Sequence, residues 1–151
     1  MDRRLTVQER LVKYITLWMW GGTIYYLIEV LFRWIVHGTP TSHPSMFVLG
    51  GICLLVVGAL NNYKPKQFGF AWQVLIGTTI VIILELIAGV ILNLWLELGV
   101  WDYSNLRFNI LGQVSLLFSF LFMPVVAFAI WLDDFLRWKI YGMEKPTYRV
   151  W

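Results

Sequence analysis

Residues 70–98 read FAWQVLIGTTIVIILELIAGVILNLWLEL. Charge enters this stretch only at Glu85 and Glu97. A bilayer core is about 30 Å thick and is crossed by a helix of about 20 predominantly apolar residues. The segment is therefore long enough to cross with tilt to spare. Glu85 lies near its middle, where a charge costs about 2.5–3.5 kcal/mol by insertion scales. A chain built around this segment is a membrane protein.

Working outward, the proline-containing turn Tyr63-Lys-Pro-Lys-Gln67 separates this span from an apolar run at 46–62. The loop His37 to Ser45 carries Gly38, Pro40 and Pro44, which stop helices. It ends a first span at 11–36. Thr6-Val-Gln-Glu9 has capping-box spacing, so this helix should start near Val7. Beyond the polar loop Gly99 to Arg107, a fourth span is expected at 108–132, kinked at Pro124. In the tail 133–151, Phe135, Leu136, Trp138, Ile140 and Tyr141 alternate with Asp134, Arg137 and Lys139. This pattern predicts that the helix continues as an interfacial amphipathic segment anchoring the protein to the membrane. The expected fold is all-α: one transmembrane domain over 1–151, a four-helix bundle.

Composition supports this frame. Of 151 residues, 59% are hydrophobic and 14% charged, against roughly 25% charged in soluble domains. The single cysteine, Cys53, excludes an internal disulfide. The net charge of +3 is dispersed over the chain ends and one loop, which argues against nucleic acid as a partner. The apolar run after Met1 to Lys13 exceeds a secretory h-region and lacks a small-residue cleavage site, so it is expected to remain as a span.

Arg3, Arg4, Arg10, Lys13, Lys64, Lys66, Arg137, Lys139, Lys145 and Arg149 fall on one side of the membrane in this topology, with Arg33 and Arg107 on the other. Positive residues stay inside, so both termini are expected in the cytoplasm and the protein in the cell membrane. Trp34, Trp95 and Trp101 then mark the outer boundary, and Trp72, Trp131 and Trp138 the inner one.

Glu85 shares a helical face with Thr78, Gly89 and Asn93. A mid-membrane acid marks a functional site by default. Glu29 and Arg33, spaced i,i+4 on the first span, either neutralise each other or free Arg33 for Glu85. If residues 108–132 are helical, Asn109, Gly112, Gln113, Ser115 and Ser119 occupy an arc of roughly 160°. Such groups can be helix glue or the wall of a polar cavity opening outward, at the level of Trp101-Asp-Tyr-Ser104. The candidate ligand-binding residues are Glu29, Arg33, Glu85, Asn93, Asp102, Tyr103, Asn109 and Gln113. His37, His43 and Asp102 match no metal motif, and no cofactor is expected. No phosphate loop or catalytic motif is present, so ATP-driven work requires a separate ATPase subunit.

Trp20-Gly-Gly22, Tyr26, Glu29, Gly50-Gly-Ile52, Glu85, Gly89, Asn93-Leu-Trp95, Trp101-Asp-Tyr-Ser104, Asn109, Gly112-Gln113, Asp133-Asp134 and Glu144-Lys-Pro146 carry a resemblance over nearly the whole chain. It resembles the bacterial inner-membrane family of ABC-transporter type IV proteins, to which a small vertebrate transmembrane family is also similar. The resemblance implies a permease-like, transport-associated subunit, working as a homo-oligomer or in a larger membrane complex. Its cavity would take a polar or amphiphilic solute or a cation. The rival expectations are an intramembrane enzyme on a lipid-type substrate, with Glu29, Glu85 or Asp102 as acid or base, and a non-catalytic adaptor or assembly factor.

Overall fold

In the computed structural model, which describes residues 6–63 and 69–150, the chain forms four long helices and a short hairpin. Helix α1 (Val7–His37) starts where the capping box placed it: the Thr6 amide donates to Glu9 Oε2 at 2.8 Å and the Glu9 amide to Thr6 Oγ1 at 3.2 Å. Gly38, in the left-handed region, ends it. Helix α2 spans Pro44–Tyr63 and α3 Phe70–Gly89. The turn expected at 63–67, with Lys64 and Lys66, lies outside the described residues apart from Tyr63, as do Arg3 and Arg4. Helix α4 spans Leu116–Tyr141 and contains Pro124. All four helices are long and apolar enough to cross a membrane.

Two expected boundaries are corrected. The third span keeps regular α geometry only to Gly89; Val90–Trp95 widens into a π-helical turn, with the Leu96 amide donating to Ile91 O at 2.9 Å. The fourth span begins at Leu116, not Phe108. Residues Asn109–Ile110 (β1) and Val114–Ser115 (β2) instead pair antiparallel, Asn109 opposite Ser115 and Ile110 opposite Val114. The turn between them holds Leu111 and Gly112 at positive φ, 53° and 68°, with the Gln113 amide donating to Ile110 O. Asn109 Oδ1 accepts from the Gly112 amide at 3.0 Å, so a side chain competes for a bond that a helix would have used. Ser115 then caps α4 by accepting from the Phe118 amide. The helical arc expected for Asn109, Gly112, Gln113, Ser115 and Ser119 therefore does not exist; of these residues only Ser119 is on the helix.

Helices α1 and α2 form the tightest pair, because glycines let their backbones approach. A Cβ on Gly50 would sit 2.3 Å from Cβ of Tyr25. Helix α2 also packs on α3 and α4, and α3 on α4, whereas α1 meets α4 only sparsely. Met46, Leu49, Cys53, Val57, Val81, Val126 and Ile130 form the main core, and Leu17, Leu54, Leu132 and Leu136 a second cluster. The hairpin closes one end of the bundle beside the α1–α2 loop. The start of α1, the end of α4 and the tail share the opposite end.

Candidate functional site

On α1, Tyr25, Glu29 and Arg33 follow one another at four-residue spacing and so project from one face. Arg33 Nε donates to Glu29 Oε1 at 2.7 Å, so the pair neutralises itself; the alternative expected from sequence, Arg33 reaching for Glu85, is not what forms. Arg33 Nη2 donates instead to Val100 O at 2.6 Å, in the segment leading to the hairpin.

From Val100 a chain of bonds runs inward. Its amide donates to Asn93 Oδ1 at 2.6 Å, and Asn93 Nδ2 donates to Gln113 Oε1 at 2.7 Å. Gln113 Nε2 donates to Leu111 O, and the Trp101 indole donates to Gln113 O at 2.8 Å. Asn93 reaches this position from the π-helical turn, a geometry that recurs at functional sites. Gly89, one turn earlier, leaves room for Gln113: a Cβ there would lie 2.6 Å from Oε1. Of the sequence candidates, Glu29, Arg33, Asn93 and Gln113 thus belong to one network, which fastens the hairpin to α1 and α3.

Asp102 and Asn109 lie elsewhere in the loop. Asp102, fully exposed, accepts from the Ser104 hydroxyl and amide, which hold its carboxyl below the usual range. Asn109 Nδ2 donates to Leu106 O at 2.7 Å. Tyr103 stacks its ring on Phe118, centroids 4.4 Å apart. Burial, then the Glu85 and Glu29 carboxylates, push its hydroxyl pKa up.

Glu85 is 4% exposed on α3 and accepts a short hydrogen bond from the Tyr25 hydroxyl of α1. No cation pairs with it among the described residues. Tyr25 also forms part of the wall of a small cavity, roughly 50 Å³, between α1 (Gly21, Ile24, Ile28) and α4 (Phe122, Val125, Ala129). Its walls are apolar, unlike the polar outward cavity expected from sequence; of the residues assigned to that cavity, Glu29 is bonded to Arg33 and Asn93 to Gln113.

A second polar cluster, at the opposite end of the bundle, escaped the sequence reading. Asp133, fully buried, accepts from Arg137 Nε at 2.5 Å and from Nη2 at 3.2 Å. Gly58 of α2 makes room for it, since a Cβ there would lie 2.2 Å from Asp133 Cγ. Asp134 accepts from Asn61 Nδ2 and from the Tyr148 hydroxyl, and Gln73 Nε2 donates to Asn61 Oδ1 at 3.1 Å. The tail returns to the bundle here: Arg149 O and Val150 O accept from the Phe70 and Ala71 amides, satisfying donors that open α3. The helix does continue past Leu132 as expected, but Asp133, Asp134 and Arg137 turn inward instead of facing an interface. The signal was the i,i+4 spacing of Asp133 and Arg137 directly after an apolar run.

The profile of a family described as "Putative ABC-transporter type IV" matches residues 10–150. No curated protein and no solved structure matches the chain.

Proposed function

The chain belongs to that family of ABC-transporter type IV membrane proteins, and from this premise we propose that it is a transport-associated membrane subunit whose working group is Glu85, held by Tyr25. One observation carries the reading: a buried acid among apolar helices is answered by a neutral hydroxyl while the neighbouring Glu29 has its own guanidinium. An intramembrane acid without a countercharge is poised to bind a cationic group or to exchange a proton. A solute that donates to Glu85 takes the place of the Tyr25 hydroxyl and thereby changes how α1 is tied to α3. The hairpin network holds the surrounding helices in register while this happens. With positive residues inside, the hairpin faces outward, both termini are cytoplasmic, and energy comes from a partner ATPase in a larger complex.

The test compares deletion, wild-type and Glu85→Gln strains for uptake of a panel of amphiphilic and cationic compounds. The amide keeps size and hydrogen bonding but cannot carry charge. Glu85→Gln should behave as the deletion for at least one compound; if it matches wild type wherever the deletion differs, the working role of Glu85 is gone. A second reading, a non-catalytic assembly subunit, draws on the closure of the hairpin network upon itself. It expects Glu85→Gln to be silent and the protein to co-purify with a larger membrane complex.

A further inference from the structure

We infer that the tail end of the bundle holds the phosphate ester of an anionic membrane lipid between Lys13 of α1 and Arg137 of α4. The site is separate from Glu85 and does not depend on its role.

Packing brings the two cations together. Leu17 of α1 belongs to one buried cluster with Leu132 and Leu136 of α4. Lys13 precedes Leu17 by one turn and Arg137 follows Leu136, so both stand at the edge of that apolar contact. They share the Tyr14 ring: Lys13 Nζ lies 5.1 Å and Arg137 Cζ 5.8 Å from its centroid. Like charges gathered at one ring favour an anion beside them.

The two cations are not equally satisfied. Arg137 Nε and Nη2 donate to Asp133, whereas Nη1 donates to none of the described residues. Lys13 has neither an acid nor an acceptor among them. Glu9, one turn earlier, is bent back to the helix cap, where its Oε2 accepts from the Thr6 amide. Asp134 is turned to Asn61 and Tyr148. Lys13, Arg137 and Asp133 together leave one positive charge over, with open N–H groups on both cations.

The other described cations are either answered or in solvent. Arg33 has Glu29, Lys139 and Lys145 lie over the Trp138 ring, and Arg10, Arg107 and Arg149 are exposed. Lys13 is 7% exposed, yet neither its Nζ nor Arg137 Nη1 is sealed from solvent. At neutral pH it is therefore an ammonium ion that a ligand can reach.

A phosphodiester fits this donor set, since it carries one negative charge and two unesterified oxygens, one for each cation. The surroundings point to a lipid as its source. Leu11 and Ile15, on the same side of α1 as Tyr14, are exposed and apolar. Trp138, next to Arg137, and Trp131, two turns before it, mark the level of the head groups. Basic pockets between spans at this level take anionic head groups. A phosphate held there ties α1 to α4, which otherwise meet only sparsely.

The experiment adds phosphatidylglycerol or phosphatidylcholine of the same acyl chains to the full chain in detergent. Native mass spectrometry counts the lipid retained, and the unfolding midpoint is read alongside. The two lipids share the phosphate, but the choline cation cancels its charge. Wild type should retain phosphatidylglycerol about tenfold better than phosphatidylcholine, and its midpoint should rise only with the former. Lys13→Gln should lose both the preference and the rise, while Lys13→Arg keeps them. Arg149→Gln, at an exposed cation of the same end, should behave as wild type. Equal retention of the two lipids by wild type overturns the site. Loss in Arg149→Gln as large as in Lys13→Gln also overturns it, as diffuse attraction to the whole basic end. Inorganic phosphate in excess should leave the lipid in place; if it displaces the lipid and raises the midpoint by itself, the donors serve a free phosphate and the lipid source falls. Should Lys13→Gln not fold, the lipid and phosphate comparisons on wild type decide. None of these outcomes bears on uptake by Glu85→Gln, so the two proposals fail separately.

Discussion

Asp133 and Glu85 are carboxylates of nearly equal seclusion, 0% and 4% exposed, on helices long enough to be spans. Asp133 has a guanidinium against both its oxygens and a glycine carved out beside it. Glu85 has a tyrosine hydroxyl and, beyond it, an apolar cavity. The polar groups at the two ends of the bundle fasten non-helical chain, the tail at one end and the hairpin at the other. The difference lies in what is left over. The tail end pairs a buried acid with a base on its own helix, while Glu85 is held by a neutral hydroxyl from another helix.

The sharpest way to break this comparison is to remove a partner at each end. Arg137→Ala leaves Asp133 buried and uncompensated, and breaking a buried pair costs about 3–5 kcal/mol. Glu85→Gln keeps size and hydrogen-bonding capacity and breaks no ion pair, so it should leave stability unchanged or raise it. The unfolding midpoints of the two purified variants should fall far apart, Arg137→Ala well below wild type and Glu85→Gln at or above it. If both melt equally low, Glu85 is as structural as Asp133 and the proposed working role fails.

Gln113→Ala should have a smaller effect, about 1–2 kcal/mol, because it removes bonds between neutral groups, which are weak in membranes. It detaches Asn93 from the hairpin but leaves Arg33 on Val100. Faster hydrogen exchange confined to residues 99–115, with the Asp134 end unchanged, is the expected outcome. Acceleration at both ends would show that the two clusters are one cooperative unit.

How much of this was legible in the sequence follows from which signals are local. The existence of the first three spans was readable because length and hydropathy are properties of a run, and Thr6 to Glu9 because a capping box is complete within four residues, whereas the change of helix type after Gly89 was not. The fourth span was misplaced at its start because Asn109 to Ser115 is apolar enough to pass for helix. Its Asn-x-x-Gly pattern, with a serine N-cap to follow, was the competing turn signal. Glu85 stood out as the costliest residue in the chain, but its partner Tyr25 lies 60 positions away. Asp134 to Asn61 spans 73. Contacts at such separations leave no periodic trace; the i,i+4 spacing of Asp133 and Arg137 was the one local signal that this face turns inward.

The smallest effect is expected where the tail meets α3, and it tests whether the tail end is rigid by charge or by backbone. Tyr148→Phe keeps the ring against Phe70, 5.1 Å between centroids, and keeps the Arg149 and Val150 carbonyls on the α3 amides. It removes only the 2.8 Å bond to Asp134, a loss of about 0.5–1.5 kcal/mol before solvent screening reduces it. Burial, then the bond to Asp134, raise the hydroxyl pKa above its ordinary value of 10.0. A group whose pKa is raised by folding contributes its stability below the unfolded value and loses it as pH rises through the folded one. In the wild type a spin label at Thr147 should therefore stay immobile through pH 10 and loosen only at more alkaline pH. In Tyr148→Phe that alkaline step should be absent, because the ionising group is gone. An identical alkaline step in both would assign the tail's hold to its backbone bonds alone and leave Asp133 with Arg137 as the charge contact that defines this end.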